Sequence, residues 1–170
     1  MGCSSQKSVN SKGTSYIKNS DIEKYETLSL REQLRKDDKF VPIEQMTKEE
    51  VYLQFLSFND YLLEKKSFTE PFKWNDENVE NKLIEAIKKA DSEAQLMSDF
   101  VELKKMLDIH PETMQMFIDT LQWGDYKWQL LKRLLLIYQT YKNIMDEETM
   151  KKMTIEKDEI KKNKEYYIIL

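Results

Sequence analysis

Regular spacing of apolar residues around position 135 constrains the fold of this chain more than any other feature of its sequence. Two apolar rows run side by side through this stretch, and together they make a stripe wide enough to be covered by two neighbouring helices. The pattern predicts a long helix that starts at Asp125 and lies at the centre of a helical bundle. Its opposite side is expected to be the polar face because it carries Lys132, Arg133, Gln139 and Lys142. The first row, at intervals of four, three, four and three residues, is Leu130, Leu134, Ile137, Tyr141 and Ile144.

A capping signal marks where an earlier helix begins. In Thr47-Lys48-Glu49-Glu50 the Thr47 hydroxyl can accept from the third amide of a helix while Glu50 reaches back, which is a capping box. The helix that follows is expected to face the core as far as about Lys66. Residues 67–74 form the next loop and contain three aromatic side chains. We expect these rings to fold back as a lid on the core, with ligand binding as the alternative.

Two further helices are predicted between residues 75 and 107. Asn75 or Asp76 is expected to cap the first of them, and Asp91 or Ser92 the second. The second helix carries four large apolar residues at intervals of four, three and four, which places them on one face. This row is Leu96, Phe100, Leu103 and Leu107.

Proline and glycine predict where the next helix starts and stops. Pro111 fits the first turn of a helix, and Gly124 is a natural helix stop. The chain holds only three glycines and three prolines, which is too few for the turns of an all-β fold and favours long helices. We therefore expect an all-α protein, either an irregular antiparallel bundle or a short stack of helical hairpins, with a disordered N-terminal tail.

Composition divides the chain into four predicted segments. Residues 1–20 form a flexible basic tail, residues 21–46 a short helix and connector, residues 47–152 the helical domain, and residues 153–170 a charged segment with an apolar end. The apolar end is Tyr166-Tyr167-Ile168-Ile169-Leu170. It could dock into the core, bind a partner or form a short strand, and the sequence does not choose among these roles.

Charge is distributed unevenly along the chain. The first 20 residues hold three lysines and no acid, a net charge of +3, from Lys7, Lys12 and Lys18. The remainder holds 24 basic and 31 acidic residues, a net charge of −7. An acidic body does not suit nucleic acid, which needs a basic protein face. A basic tail suits an anionic membrane, where each lysine adds about 1 kcal/mol of attraction.

The first residues carry the clearest functional signal. Removal of Met1 exposes the amine of Gly2, the acceptor for a myristoyl chain, and Cys3 beside it is placed to take a palmitoyl chain. One myristoyl chain binds membranes only marginally, so stable anchoring needs a second signal. This start resembles the N-termini of dually acylated Met-Gly-Cys peripheral membrane proteins, such as Src-type kinases and G-protein alpha subunits. The resemblance covers seven residues and implies lipidation of Gly2 and Cys3 and a place on the cytosolic face of a membrane.

Residues for common catalytic and metal sites are scarce in this sequence. The one histidine, His110, and the one cysteine, Cys3, lie far apart in the chain, so neither a Cys-His nucleophile nor a His/Cys metal cluster is expected. The few glycines do not form a phosphate-binding loop. His110 stands directly before Pro111 and is interpreted as a helix cap. We therefore expect no enzyme activity, no metal and no cofactor.

These features predict a lipid-anchored helical adaptor or scaffold that recruits a protein partner to the cytosolic face of a membrane. The alternative is a soluble, unacylated helical subunit or regulator of a complex. Gln6 favours this alternative because the myristoylation motif prefers Ser or Thr at that position. Methionines such as Met116 and Met153 suit an adaptable groove for a partner helix, and core filling is the other interpretation.

Overall fold

A computed structural model describes residues 30–36, 40–107 and 110–162 of the chain. Within these ranges the protein consists of helices and their connections and contains no strand, which confirms the predicted all-α class. The predicted N-terminal tail and the apolar stretch 166–170 lie outside the described residues. The helices are α1 (Leu30–Leu34), a short 3-10 helix (Ile43–Gln45), α2 (Lys48–Glu64), α3 (Val79–Lys105), α4 (Pro111–Tyr141) and α5 (Glu147–Lys162).

The described residues form two compact units, and each unit is assembled from separate stretches of the chain. Unit 1 contains residues 30–36, 86–107 and 110–129. Unit 2 contains residues 40–85 and 130–162. Helices α3 and α4 each contribute residues to both units.

The core of unit 1 is formed by α1, α3 and α4. Leu30 and Leu34 of α1 pack in one buried cluster with Val101 of α3 and Ile118 of α4, and each of these side chains is at most 5% exposed. Burial of these two leucines, at about 1.5–3 kcal/mol each, holds this segment of α1 against α3 and α4.

Helix α2 of unit 2 begins at the predicted capping box. The amide of Glu50 donates to Thr47 Oγ1 at 3.1 Å, and the amide of Thr47 donates to Glu50 Oε1 at 2.8 Å. Both reciprocal hydrogen bonds of the motif are present, so two amides at the start of the helix are satisfied. The prediction made for this position is confirmed.

An aromatic side chain from the connection after α2 closes the core of unit 2. Trp74 is 8% exposed and packs edge-on against Phe55 of α2 and Tyr138 of α4, with ring centroids 5.0 Å apart in both pairs. It also meets Tyr52 at 5.6 Å in the same geometry. Edge-to-face packing of this kind is favourable beyond the buried area alone. For Trp74, the predicted lid on the core is confirmed.

Two predicted helix boundaries are wrong. Helix α3 runs without interruption past Asp91 and Ser92, and helix α4 runs past Gly124. Aspartate and serine inside a helix each lose only a fraction of a kcal/mol relative to alanine, and glycine about 1 kcal/mol. Burial of neighbouring side chains such as Leu121 is worth more than these losses, so packing overrides the local signals.

One residue of the predicted polar face of α4 is buried. Arg133 is 6% exposed, and its guanidinium donates to Gln54 Oε1 at 2.7 Å and to the Val41 carbonyl at 2.6 Å. The expected polar exposure is therefore wrong for Arg133. Its long side chain reaches acceptors inside unit 2 that satisfy the charge by hydrogen bonding.

Candidate functional site

The predicted lipidation and membrane-binding residues lie outside the described part of the chain, which begins at Leu30. The first helix that the structure describes after them is α1. The residues concerned are Gly2, Cys3, Lys7, Lys12 and Lys18.

An ionic cluster holds α1 within unit 1. Arg35 Nε donates to Asp125 Oδ1 at 2.7 Å, and one of its terminal nitrogens lies 3.0 Å from Asp91 Oδ1. Arg31 also pairs with Asp91, and its Nε lies 3.7 Å from Asp125 Oδ1. The Arg35 guanidinium lies over the Trp128 ring, 3.7 Å from the centroid. Four charged groups and one aromatic ring therefore fix the position of α1.

Burial disfavours the charged forms of the side chains in this cluster. Asp125 is 1% exposed, and burial raises its pKa although Arg35 and Arg31 oppose that shift. Burial likewise lowers the pKa of Arg35, which Asp125 opposes. Among the described residues no donor hydrogen-bonds to Asp125 Oδ2. Burial is therefore the main cause of both pKa shifts, and the attraction between Arg35 and Asp125 opposes it in each case.

An exposed apolar row runs along α3 in unit 1. The buried face of the same helix segment is formed by Ala94 and Val101, which are 2% and 1% exposed. The row on its other side is left in contact with solvent. We call this row the α3 stripe; it consists of Leu96 (63% exposed), Phe100 (41%) and Leu103 (48%) of α3 and of Leu107 (50%), two residues beyond its end.

An aromatic pair and two methionines extend the apolar surface of unit 1. Phe100 of the stripe stacks on Phe117 of α4, with centroids 5.7 Å apart and ring planes 7° apart. Met106 and Met116 are exposed as well. Flexible thioethers suit a surface that adapts to a partner. Met153 in unit 2 follows the other predicted interpretation, because it is 4% exposed and fills the core.

Unit 2 contains a cavity lined mainly by aromatic side chains. Its volume is about 350 Å³, and Tyr52, Phe55 and Trp74 form its apolar wall. Phe72, from the connection between α2 and α3, lies at a more exposed part of the wall. Ligand sites in proteins have volumes of roughly 300–1,000 Å³, so the cavity is at the lower end of that range.

Polar side chains fix the wall and the rim of this cavity. Asn59 Nδ2 donates to the Phe55 carbonyl at 2.9 Å, and Asn59 Oδ1 accepts from the Phe72 amide at 2.7 Å. At the rim, Asp60 Oδ2 lies 3.1 Å from Lys157 Nζ and 3.7 Å from Lys161 Nζ. Because these charges pair with one another, the cavity favours a neutral, apolar occupant.

No group of three or more His, Cys, Asp and Glu side chains in the described ranges is arranged to hold a metal ion. The helices that the structure describes include none that is both long and apolar enough to cross a bilayer. His110 lies where a helix cap was predicted. Its Nδ1 accepts a hydrogen bond from the Glu112 amide at 3.3 Å, at the start of α4.

Sequence reasoning missed the ionic cluster and the aromatic cavity. A signal for the cluster existed, because Arg31 and Arg35 are four residues apart and therefore share a helix face. The acids that pair with them, Asp91 and Asp125, stand where the sequence predicts the starts of helices. The cavity depends on the path of residues 71–75, which no spacing in the sequence encodes.

Comparison of the chain with protein-family models, with curated proteins and with solved structures finds no match. Function therefore has to be inferred from the surfaces of the two units themselves.

Proposed function

We propose that this protein is a non-enzymatic helical adaptor that recruits a protein partner to the cytosolic face of a membrane. Acyl chains on Gly2 and Cys3 anchor it, and the lysines of the first 20 residues add attraction to an anionic leaflet. The α3 stripe binds the partner. The observation that carries this proposal is the exposure of three large apolar side chains on one face of α3 and of Leu107, two residues past the end of that helix.

The spacing of the α3 stripe supports a helical partner. Leu96, Phe100 and Leu103 lie at intervals of four and three residues within α3, which is the spacing of the seam that one helix presents to another. Burial of a leucine or phenylalanine is worth about 1.5–3 kcal/mol when it starts fully exposed, and the stripe residues are about half exposed. Their combined burial therefore supplies a substantial part of the roughly 8 kcal/mol that micromolar binding needs.

The position of α1 supports a connection between the anchor and the stripe. Leu30 and Leu34 share a buried cluster with Val101 of α3, and Arg35 is tied to Asp125. An anchor that precedes Leu30 would therefore hold unit 1, the unit that carries the stripe. Membrane attachment and partner binding would act on one compact unit.

A second candidate function is that of a soluble, unacylated helical subunit or regulator of a complex. Gln6 favours it, because the myristoylation motif prefers Ser or Thr at that position. The α3 stripe would serve this function equally well. Intact-mass measurement of the native protein separates the two candidates, since each acyl chain adds a defined mass to the mature N-terminus.

The anchor is tested by cell fractionation of the full chain. Gly2→Ala removes the myristoyl acceptor and is expected to move the protein from the membrane fraction to the supernatant. Ser5→Ala is the matched control, because it changes a neighbouring residue and keeps Gly2 and Cys3. An unchanged distribution of the Gly2→Ala variant would contradict the anchor.

The partner surface is tested by proximity labelling in the same cells. Leu103→Glu combined with Leu107→Glu places two charges on the α3 stripe and is expected to remove specific neighbours without changing the membrane fraction. Ile155→Glu is the control, because Ile155 is 63% exposed but belongs to unit 2. If both variants keep the same neighbours, the stripe does not recruit the partner.

A further inference from the structure

The apolar stretch 166–170 has no role in the adaptor function proposed above. Tyr166-Tyr167-Ile168-Ile169-Leu170 follows three polar residues, 163–165, and lies outside the described part of the chain. Removal of each large apolar side chain from water is favourable by about 1.5–3 kcal/mol. Five such residues in a row therefore favour any apolar site within their reach.

The aromatic cavity of unit 2 lies within that reach. Lys157 of α5 lines it, and the described chain ends at Lys162, five residues further along the same helix. Five residues of helix advance by about 7.5 Å. The four residues from Lys162 to Tyr166 span up to about 14 Å when extended, so the chain can turn back and reach the cavity.

The chemistry of the cavity matches the stretch. A volume of about 350 Å³ is more than twice the roughly 150 Å³ of an engineered cavity that holds benzene, so there is room for two large side chains. Tyr52, Phe55 and Trp74 offer ring faces and edges to an aromatic or branched group. Lys73 and Asn75, which are exposed lining residues, can bond a tyrosine hydroxyl that stays at the rim.

We propose that residues Tyr166–Leu170 dock into the aromatic cavity of unit 2 of the same chain. The docked stretch fills the apolar space and joins the end of α5 to the connection at residues 71–75. Any other apolar ligand of this cavity would have to displace it. This assigns to the stretch the first of the three roles that its sequence allows.

Engineered disulfides in the full chain test the proposal. In a Cys3→Ser background, Asn75→Cys places a thiol on the lining of the cavity and Ile168→Cys places one in the stretch. A disulfide needs Cα atoms about 4.4–6.8 Å apart, so its formation reports close approach. Mild oxidation is expected to give an intramolecular disulfide in the monomer.

A matched pair and a second substitution serve as controls. Glu112→Cys with Ile168→Cys places the first thiol at an exposed position of unit 1 and is expected to remain reduced. Tyr167→Ser with Leu170→Ser, added to the cavity pair, is expected to reduce the yield by about tenfold because apolar burial is lost. Lys164→Ser, added in the same way, is expected to leave the yield unchanged.

Three outcomes overturn the proposal. Equal yields from the cavity pair and the Glu112 pair indicate random collision of the stretch with the surface. A disulfide-linked dimer assigns the cavity to the stretch of a second copy. In a chain that keeps Asn75 and Ile168, unchanged hydrogen exchange of the Phe72 amide in Tyr167→Ser/Leu170→Ser also overturns it, because this amide belongs to the cavity wall.

Discussion

Gly124 of α4 lies against Ala94 of α3 in unit 1. A methyl group placed on Gly124 would have its carbon 3.8 Å from the Ala94 Cβ, which is an ordinary van der Waals distance. The two helices therefore approach each other through small side chains at this point. A methyl group at Gly124 would therefore fit without displacing Ala94.

Replacement of Gly124 by alanine is expected to stabilise the protein. Glycine inside a helix is less favourable than alanine by about 1 kcal/mol, and the new methyl group meets no clash, so Gly124→Ala should raise the free energy of unfolding by about that amount. Urea denaturation measures the change. Gly124→Pro is the control and is expected to destabilise by about 3 kcal/mol, because proline inside a helix removes a backbone hydrogen bond. A loss of stability in Gly124→Ala would indicate that the helix ends there after all.

The pairing of Arg35 with Asp125 predicts that a single substitution will lower the free energy of unfolding much more than a double substitution. Asp125→Asn removes the buried carboxylate that Arg35 faces and leaves this guanidinium paired with Asp91 alone, and it is expected to lower the free energy of unfolding by about 3 kcal/mol. Asp125→Leu combined with Arg35→Met removes both charges and is expected to recover most of that loss. Chemical denaturation of Asp125→Leu, Arg35→Met and the double variant, each compared with the wild type, forms a thermodynamic cycle. Additive losses in the cycle would contradict the pairing.

Arg133 and its neighbour Lys132 are expected to respond very differently to truncation. Arg133→Ala removes the donor to the buried Gln54 side chain and is expected to cost about 3 kcal/mol of stability. Lys132→Ala changes an exposed side chain and is expected to stay within about 0.5 kcal/mol of the wild-type value. Thermal and urea unfolding of the two variants measure both effects. Similar losses of stability in the two variants would indicate that the Arg133 side chain lies at the surface.

Acid is expected to weaken the contact between α5 and the start of α2. Lys48 Nζ donates to Asp146 Oδ2 at 2.6 Å and the Thr149 amide donates to Oδ1 at 2.7 Å, and these bonds hold the pKa of Asp146 well below its ordinary value. The pKa of an aspartate in the unfolded chain is about 3.9. The stabilisation that comes from the lowered pKa of Asp146 is therefore complete above that pH and is lost as the pH falls below it.

The Asp146→Asn variant isolates this effect, since asparagine keeps the helix cap and removes the charge. Its deficit in the free energy of unfolding should be largest near pH 7 and should shrink as the pH falls below about 4. Lys48→Met is expected to show a deficit in the same pH range, because it removes the other partner. Denaturation curves recorded across this range provide the measurement. A deficit that does not change with pH would exclude the charge interaction.

The exposure of the α3 stripe is tested by comparing the stability of two leucine variants, one on the stripe and one in the core of unit 1. Leu103→Ala on the α3 stripe removes a side chain that is 48% exposed and is expected to cost less than about 1 kcal/mol. Leu121→Ala removes a fully buried side chain of unit 1 and is expected to cost about 2–5 kcal/mol. Urea unfolding compares the two. Equal losses would mean that the stripe is covered within the protein.

The helical class of the fold was predictable from spacing, but the direction of helix faces was not. In α3 the large row from Leu96 to Leu107 was the visible pattern, while Ala94 and Val101 form the buried face. A small residue contributes little to a hydrophobic pattern, although it allows another helix to approach closely. The pattern therefore identified the second part of α3 as helical, missed its continuity with residues 79–90, and drew attention to its exposed side.

The candidate site was predictable only in part. Local chemistry gave the Thr47 cap and the burial of Trp74, because both depend on residues close in sequence or on a strong apolar preference. The hydrogen bond of buried Arg133 with Gln54 and the ion pair of Arg35 with Asp125 each join residues that are about 80–90 positions apart in the sequence. No local pattern encodes such pairs, since their geometry follows from the packing of the whole unit.

Both units are assembled from stretches that are distant in the sequence, with residues 86–129 of unit 1 interrupting unit 2. A gene fragment that ends between residues 86 and 128 thus encodes part of each unit and the whole of neither. Recombination at a single point therefore cannot transfer either unit to another protein without also transferring part of the other unit.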